Sequence, residues 1–203
     1  DLHDPERVGL PENAFDPLEE NEPLRYKVSR EAMQQNFGSD PERWKDLNAI
    51  YHGLVTQVDK AVGGILATLD DLGLRDNTII VFTSDHGEMM SSHGMFAKQY
   101  MYEESARVPW LMSVPGMSNE QKVVREPVSH IDLVPTLLEL MGKPEKAEGL
   151  PGKSLVNRMN GKESMQQDVF IEWNPNRVHY VEGTDLATPQ EIEQIKQEHV
   201  RTV

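Results

Sequence analysis

The sequence predicts an α/β fold, and three stretches carry that prediction. The run Ile79-Ile80-Val81-Phe82-Thr83 is unbroken β-branched and aromatic, with the length of a buried strand. Upstream, Trp44, Leu47, Tyr51, Leu54, Val55, Val58, Val62, Ile65, Leu66, Leu69 and Leu72 recur at three- and four-residue steps, which gives a helix from about 41 to 72 one apolar face. Downstream, Asp132 caps a second helix through Met141 with its own apolar side. A central strand at 79–84 flanked by two one-faced helices makes a layered core, with a mixed, largely parallel sheet expected.

Residues 1–38 carry Pro5, Pro11, Pro17 and Pro23 among many charges and read as an extended arm with short turns; residues 39–203 read as the domain. Asp40-Pro41-Glu42 then combines an N-cap, a first-position proline and an acidic first turn. Gly73 closes this helix as a residue able to turn left-handed. Gly63-Gly64 inside it predicts a close approach to a strand or a local break. The segment from Met89 to Met101 has no clean period and reads as a loop beside the strand tip. Val108 to Val114 reads as a second strand, ended by Pro115-Gly116, and Lys122 to Val128 as a third. Lys143 to Gly152 reads as loop, Ser154 to Met159 as a short helix, and Asp168 to Trp173 as a strand. Thr188-Pro189-Gln190-Glu191 is a capping box opening a polar helix to about His199, and Val200-Arg201-Thr202-Val203 has the composition of a strand's beginning.

Composition narrows the partners. With 34 acidic and 20 basic side chains, net −14, the chain would be repelled by nucleic acid and by anionic membranes. An anionic substrate must therefore be drawn by a local cation. Without cysteine there is no disulfide, thiolate ligand or cysteine nucleophile. No apolar run approaches membrane-spanning length. The first residues lack a signal-peptide pattern, and the compartment stays open.

The strand ends in Ser84-Asp85-His86-Gly87-Glu88. In open α/β sheets functional groups sit just beyond the carboxyl ends of strands, and a carboxylate next to an imidazole there can hold a metal if the backbone turns at once, as Gly87 allows. For this tripeptide alone, a polar strand end with a turn glycine is the commoner explanation. The following residues change that balance.

Thr83-Ser84-Asp85-His86-Gly87-Glu88, Ser92-His93-Gly94, Lys98, Tyr102-Glu103-Glu104 and Arg107-Val108-Pro109 occur in that order. With Gly73-Leu74, Asp76-Asn77-Thr78 and His130-Ile131-Asp132-Leu133-Val134-Pro135-Thr136-Leu137-Leu138, this stretch resembles the sulfatases of the alkaline-phosphatase superfamily over about residues 40–145. The resemblance implies that Asp85 and His86 ligate a divalent cation, usually calcium, and that Lys98 contacts the sulfate and its bridging oxygen. His93 then either contacts substrate or orders the loop, and Glu103, Glu104 and Arg107 form ion pairs fixing the passage from loop to strand.

Two departures shape the expectation. The family's nucleophile, a formylglycine made from Cys or Ser in Cys/Ser-x-Pro-x-Arg, has no counterpart here, and neither have the paired aspartates that complete the cation site. The chain is thus expected to be the C-terminal part of a catalytic domain, incomplete at both ends, inactive alone and prone to self-association through an exposed sheet edge. His86 also replaces the more frequent Asn, so manganese, magnesium and zinc remain open beside calcium. The resemblance implies sulfate-ester hydrolysis. A phosphodiesterase or phosphonate monoester hydrolase of the same superfamily, and a non-catalytic interaction module, are the alternatives.

Overall fold

A computed structural model describes residues 3–17, 19–117, 120–162, 168–174 and 178–202. The chain divides into two compact units: residues 1–116 with 172–200, and residues 117–171 with 201–203.

In the first unit, helices α1 (Pro5–Val8) and α2 (Leu24–Phe37) precede the long helix α3 (Pro41–Asp71). The Asp40 carboxylate accepts the Glu42 N–H at 3.1 Å, so the start of α3 is capped as its sequence predicts. Leu72 and then Gly73, at φ 64°, end it. The Gly63-Gly64 pair produces neither a break nor a close approach: the helix runs through, and a Cβ at either position would meet nothing within 4 Å. Much of the apolar stripe, including Leu54, Val55, Val58 and Ile65, is exposed.

Strand β1 (Ile80–Thr83) follows α3 through a single turn at Arg75–Asn77. After a long loop and the short helix α4 (Glu103–Ala106), β2 (Trp110–Ser113) pairs with β1 in antiparallel register, Phe82 opposite Leu111. Among the described residues this sheet is a two-stranded antiparallel ladder, where a mixed, largely parallel sheet is expected. The connection from β1 to β2 is long and contains α4, yet it returns β2 antiparallel, so among the described residues β1 gains no parallel neighbour.

The supposed arm contains a real helix. One side of α2 packs Tyr26 against Met89, Met95 and Tyr100 of the loop, while Val28 packs against Ile192 and Ile195 of α7 (Pro189–Ile195). The capping box of α7 forms as expected, Thr188 and Glu191 exchanging bonds of 2.8 and 3.3 Å, but the helix stops four residues short of His199.

The second unit is built on α5 (Leu133–Leu140) and α6 (Val156–Met159). Asp132, wholly buried, accepts the Ser129 and Lys153 N–H groups at 3.0 and 2.8 Å. The Thr136 hydroxyl donates a hydrogen bond to the Asp132 carbonyl and accepts the Leu155 N–H, so a polar pair staples the 153–155 segment to α5. The strand expected at Lys122 to Val128 does not form, because no described strand pairs with it. A second ladder joins Ile171–Trp173 (β3) to Val200–Thr202 (β4); Val203 lies outside the described residues. Among the described residues no helix is long and apolar enough to cross a membrane.

Candidate functional site

The chain turns sharply after β1. Ser84 donates to the His86 carbonyl at 2.7 Å, and the Asp85 carboxylate accepts the His86 N–H at 3.1 Å. Gly87 then donates to the Ser105 carbonyl at 2.8 Å. Its lack of a side chain matters for a reason different from backbone freedom. A Cβ here would collide with the Glu104 carbonyl, its carbon 2.9 Å away, and would lie 3.2 Å from the Ser105 carbonyl carbon. Glycine lets two backbones touch directly behind Asp85 and His86.

The imidazole of His86 is held in one tautomer. Nδ1 lies 2.7 Å from the Gly87 carbonyl, which can only accept, so Nδ1 carries the proton and Nε2 presents its lone pair. Nε2 stands 3.5 Å from Oδ2 of Asp85, and the Asp85 side chain is 85% exposed. Two electron-donor atoms thus face a common, solvent-open point. Desolvation raises the Asp85 carboxyl, but the charge the His86 ring carries when protonated, together with hydrogen bonds from the Asp85 N–H, the His86 N–H and Ser84, outweighs it and holds the group below the usual carboxylate range. The pair fits two ligands of a divalent cation, with Gly87 as the second-sphere acceptor that orients the histidine. Among the described residues no group of three or more His, Cys, Asp or Glu could hold a metal ion.

Lys98 lies on the following loop, exposed and without a hydrogen bond or ion pair among the described residues. The loop is unusual in its backbone. Met90, Ser91, His93, Ala97 and Gln99 all have positive φ, between 48° and 87°. Each such non-glycine residue costs of order 1–3 kcal/mol and persists only where the surroundings impose it. Here those surroundings are buried Met89 and Met95, the Asn48 amide on the Ser91 hydroxyl at 3.2 Å, and Tyr26 accepting the Met101 N–H at 2.8 Å. Nothing in the spacing of the sequence announces this strain.

His93 is tied down from three sides. Its ring stacks on Tyr102 at 4.1 Å, its Nε2 is 3.2 Å from the Asn13 amide nitrogen, and its N–H donates to the Asn13 carbonyl at 3.1 Å. Asn13 also donates to Glu104 at 2.9 Å. Desolvation pushes the Glu104 carboxyl up, while its own N–H, Asn13, His93 and Ser92 together bring it below its usual range. Tyr102 in turn donates to Glu22, and burial first, then that carboxylate, push its phenol far up. Of the ion pairs expected at the loop's end, Arg107 meets Glu103 at 3.2 Å, with both side chains largely exposed, whereas Glu104 serves the Asn13 and His93 cluster. Asn13 and Ser105, which the sequence does not single out, and Glu88, to which it gives no role, hold this loop by bonding its backbone N–H groups and the His93 ring.

The sulfatase family model matches residues 11–143. The chain belongs to the sulfatase family. Sulfatases recur among its relatives: an arylsulfatase of Clostridium perfringens is 35% identical over 153 residues, covering 68% of this chain and 32% of that protein. The arylsulfatase K of Canis lupus familiaris is 40% identical over 112 residues, 55% of this chain and 21% of that one. A choline-sulfatase of Rhizobium meliloti is 32% identical over 165 residues, 80% and 32%. The chain therefore spans a third or less of the length of these relatives. Among solved structures, a 2-O GAG sulfatase matches with TM-score 0.72 and 29% identity over 85% of this chain and 38% of that one. The phosphonate monoester hydrolase of Silicibacter pomeroyi matches with TM-score 0.64 and 28% identity, over 82% and 36%. The α/β fold is that of the alkaline-phosphatase-like sulfatases, present in part, and the family uses a divalent cation and a formylglycine.

Proposed function

We propose that this chain supplies one wall of a sulfuric ester hydrolase site, with Asp85 and His86 as ligands of a divalent cation and Lys98 as the cation at the leaving oxygen. The observation that carries the proposal is the Nε2 of His86, left with its lone pair free because Nδ1–H donates to the Gly87 carbonyl, and set 3.5 Å from the Asp85 carboxylate. A bound cation would polarise a sulfate oxygen. The Lys98 ammonium donates a hydrogen bond to the ester's bridging oxygen, where negative charge grows as the S–O bond breaks. His93, clamped between Tyr102 and Asn13, orders the loop. The formylglycine nucleophile comes from outside this chain, which has no cysteine and no Cys/Ser-x-Pro-x-Arg. An oxygen-rich shell favours calcium; the imidazole nitrogen keeps manganese, magnesium and zinc in contention.

The test is metal content and steady-state turnover of 4-nitrophenyl sulfate by the full-length protein, with a phosphate diester for comparison. Asp85→Ala should lose metal and turnover together, and His86→Asn should keep a site with a greater preference for calcium. Lys98→Ala should keep its metal and lose roughly 10²–10³ in rate, the scale of one preorganised donor. Near-normal turnover by Lys98→Ala would remove the lysine from the mechanism. A preference for the diester would favour the second reading, a phosphonate or phosphodiester hydrolase, which the match to the Silicibacter pomeroyi enzyme supports.

A further inference from the structure

We infer that Ser105 and Glu88 are positioning residues that register Lys98 against the Asp85-His86 turn; this rests on the proposed role of Lys98. Lys98 sits between two left-handed residues, Ala97 at φ 67° and Gln99 at φ 87°, and each is gripped separately. On one side the Glu88 carboxylate accepts the Ala97 N–H, while Met89 donates to the Ala97 carbonyl at 2.8 Å. On the other, the Ser105 hydroxyl accepts the Gln99 N–H at 3.1 Å.

One of the two also holds the Asp85-His86 turn, and the other adjoins it in the chain. The Ser105 carbonyl accepts the N–H of Gly87, the residue after His86, and Glu88 follows Gly87 directly. Ser105 is 5% exposed, so water does not readily replace it. One residue thus joins the backbone just beyond the ligand pair to the backbone just beyond the lysine, through two different atoms. Lysine has a long, flexible stem, so the placing of its ammonium depends on the backbone at its root. Two forced left-handed neighbours set that root, and neither neighbour would hold its conformation without an acceptor for its N–H.

Ser105→Ala removes the hydroxyl and leaves the carbonyl that binds Gly87. Glu88→Ala removes the other grip, while Glu88→Gln keeps an acceptor. The experiment uses the full-length protein with 4-nitrophenyl sulfate, bound metal measured alongside, and amide hydrogen exchange read over residues 96–100. Ser105→Ala and Glu88→Ala should each lower kcat by roughly 10- to 100-fold, the cost of a misplacement approaching 1 Å. KM should stay within about twofold and metal content should be unchanged, exchange at 96–100 should quicken, and Glu88→Gln should retain most of the rate. In a Lys98→Ala background Ser105→Ala should cost almost nothing more, because it acts through the lysine. If Lys98→Ala is impaired but Ser105→Ala is silent, or its loss adds fully to that of Lys98→Ala, the positioning inference fails alone. If Lys98→Ala turns over normally, the lysine reading fails, and any loss in Ser105→Ala then belongs to another group.

Discussion

Adding one methyl group at Gly87 should damage the site without touching any of its reactive side chains. In Gly87→Ala the new carbon would stand 2.9 Å from the Glu104 carbonyl carbon, with the carbonyl oxygen closer still. Carbon atoms rest about 3.5–4.0 Å apart, so the two backbones must separate by at least about 0.6 Å. No rotamer relieves the overlap, because both sides are main chain. The Gly87 bond to Ser105, 2.8 Å long, would stretch to about 3.4 Å or more, past a normal hydrogen bond. Overpacking and a weakened buried bond together should cost about 3 kcal/mol. Because His86 is bonded to the Gly87 carbonyl, the imidazole shifts with the turn, and turnover should fall by up to about 10²-fold. Urea denaturation of the purified variant, with metal titration and turnover in parallel, measures all three effects. A Gly87→Ala protein with parental stability and parental metal affinity would refute the close-contact reasoning.

Three further outcomes can be checked directly. The Glu104 carboxyl titrates below its ordinary value of 4.5, so its contribution to stability is fully present above that pH and is lost as pH falls through the lower folded value; Glu104→Gln should narrow the difference in Tm between pH 7 and pH 3, and an unchanged difference would count against it. Asp132→Ala strands two backbone N–H groups beside a wholly buried position and should cost about 3 kcal/mol by urea denaturation, against less than about 1 kcal/mol if water replaces the carboxylate. The 203-residue chain alone, with Ile50, Leu54, Val58 and Ile65 of α3 and the Phe82–Leu111 pair exposed, should self-associate; sedimentation velocity showing a clean monomer at high concentration would contradict this.

The elements legible in the sequence are those whose signal is local. Asp40-Pro41-Glu42 and a regular apolar stripe announce α3, and Thr188 to Glu191 announces α7, because caps and periodicity act over a few residues. Helix α2 is hidden within a proline-rich, charged stretch because it has no apolar stripe: it buries Arg25 and Ser29 beside Tyr26 and Val28, serving two different neighbours at once. Residues 122–128 have strand composition but no partner among the described strands, and a strand is made by pairing rather than by composition. At the site, Asp85 and His86 stand out as a carboxylate and an imidazole at a strand tip. Asn13, Glu88 and Ser105 do not, because they act by receiving or donating backbone and amide hydrogen bonds whose partners only the fold brings near.

The two bonds that flank Lys98 are short-range along the chain. Gln99 reaches Ser105 across six residues and Ala97 reaches Glu88 across nine, whereas Asn13 reaches His93 across 80 and Tyr26 reaches Met101 across 75. Closing a small loop sacrifices little chain entropy, and contacts of short separation form early in folding. The two bonds beside Lys98 can therefore form before the distant residues arrive, and those residues then impose the rest of the loop's backbone. A descendant sequence could exchange the segments around Asn13 and Tyr26, and with them the neighbourhood a leaving group meets, while inheriting the same placement of Lys98.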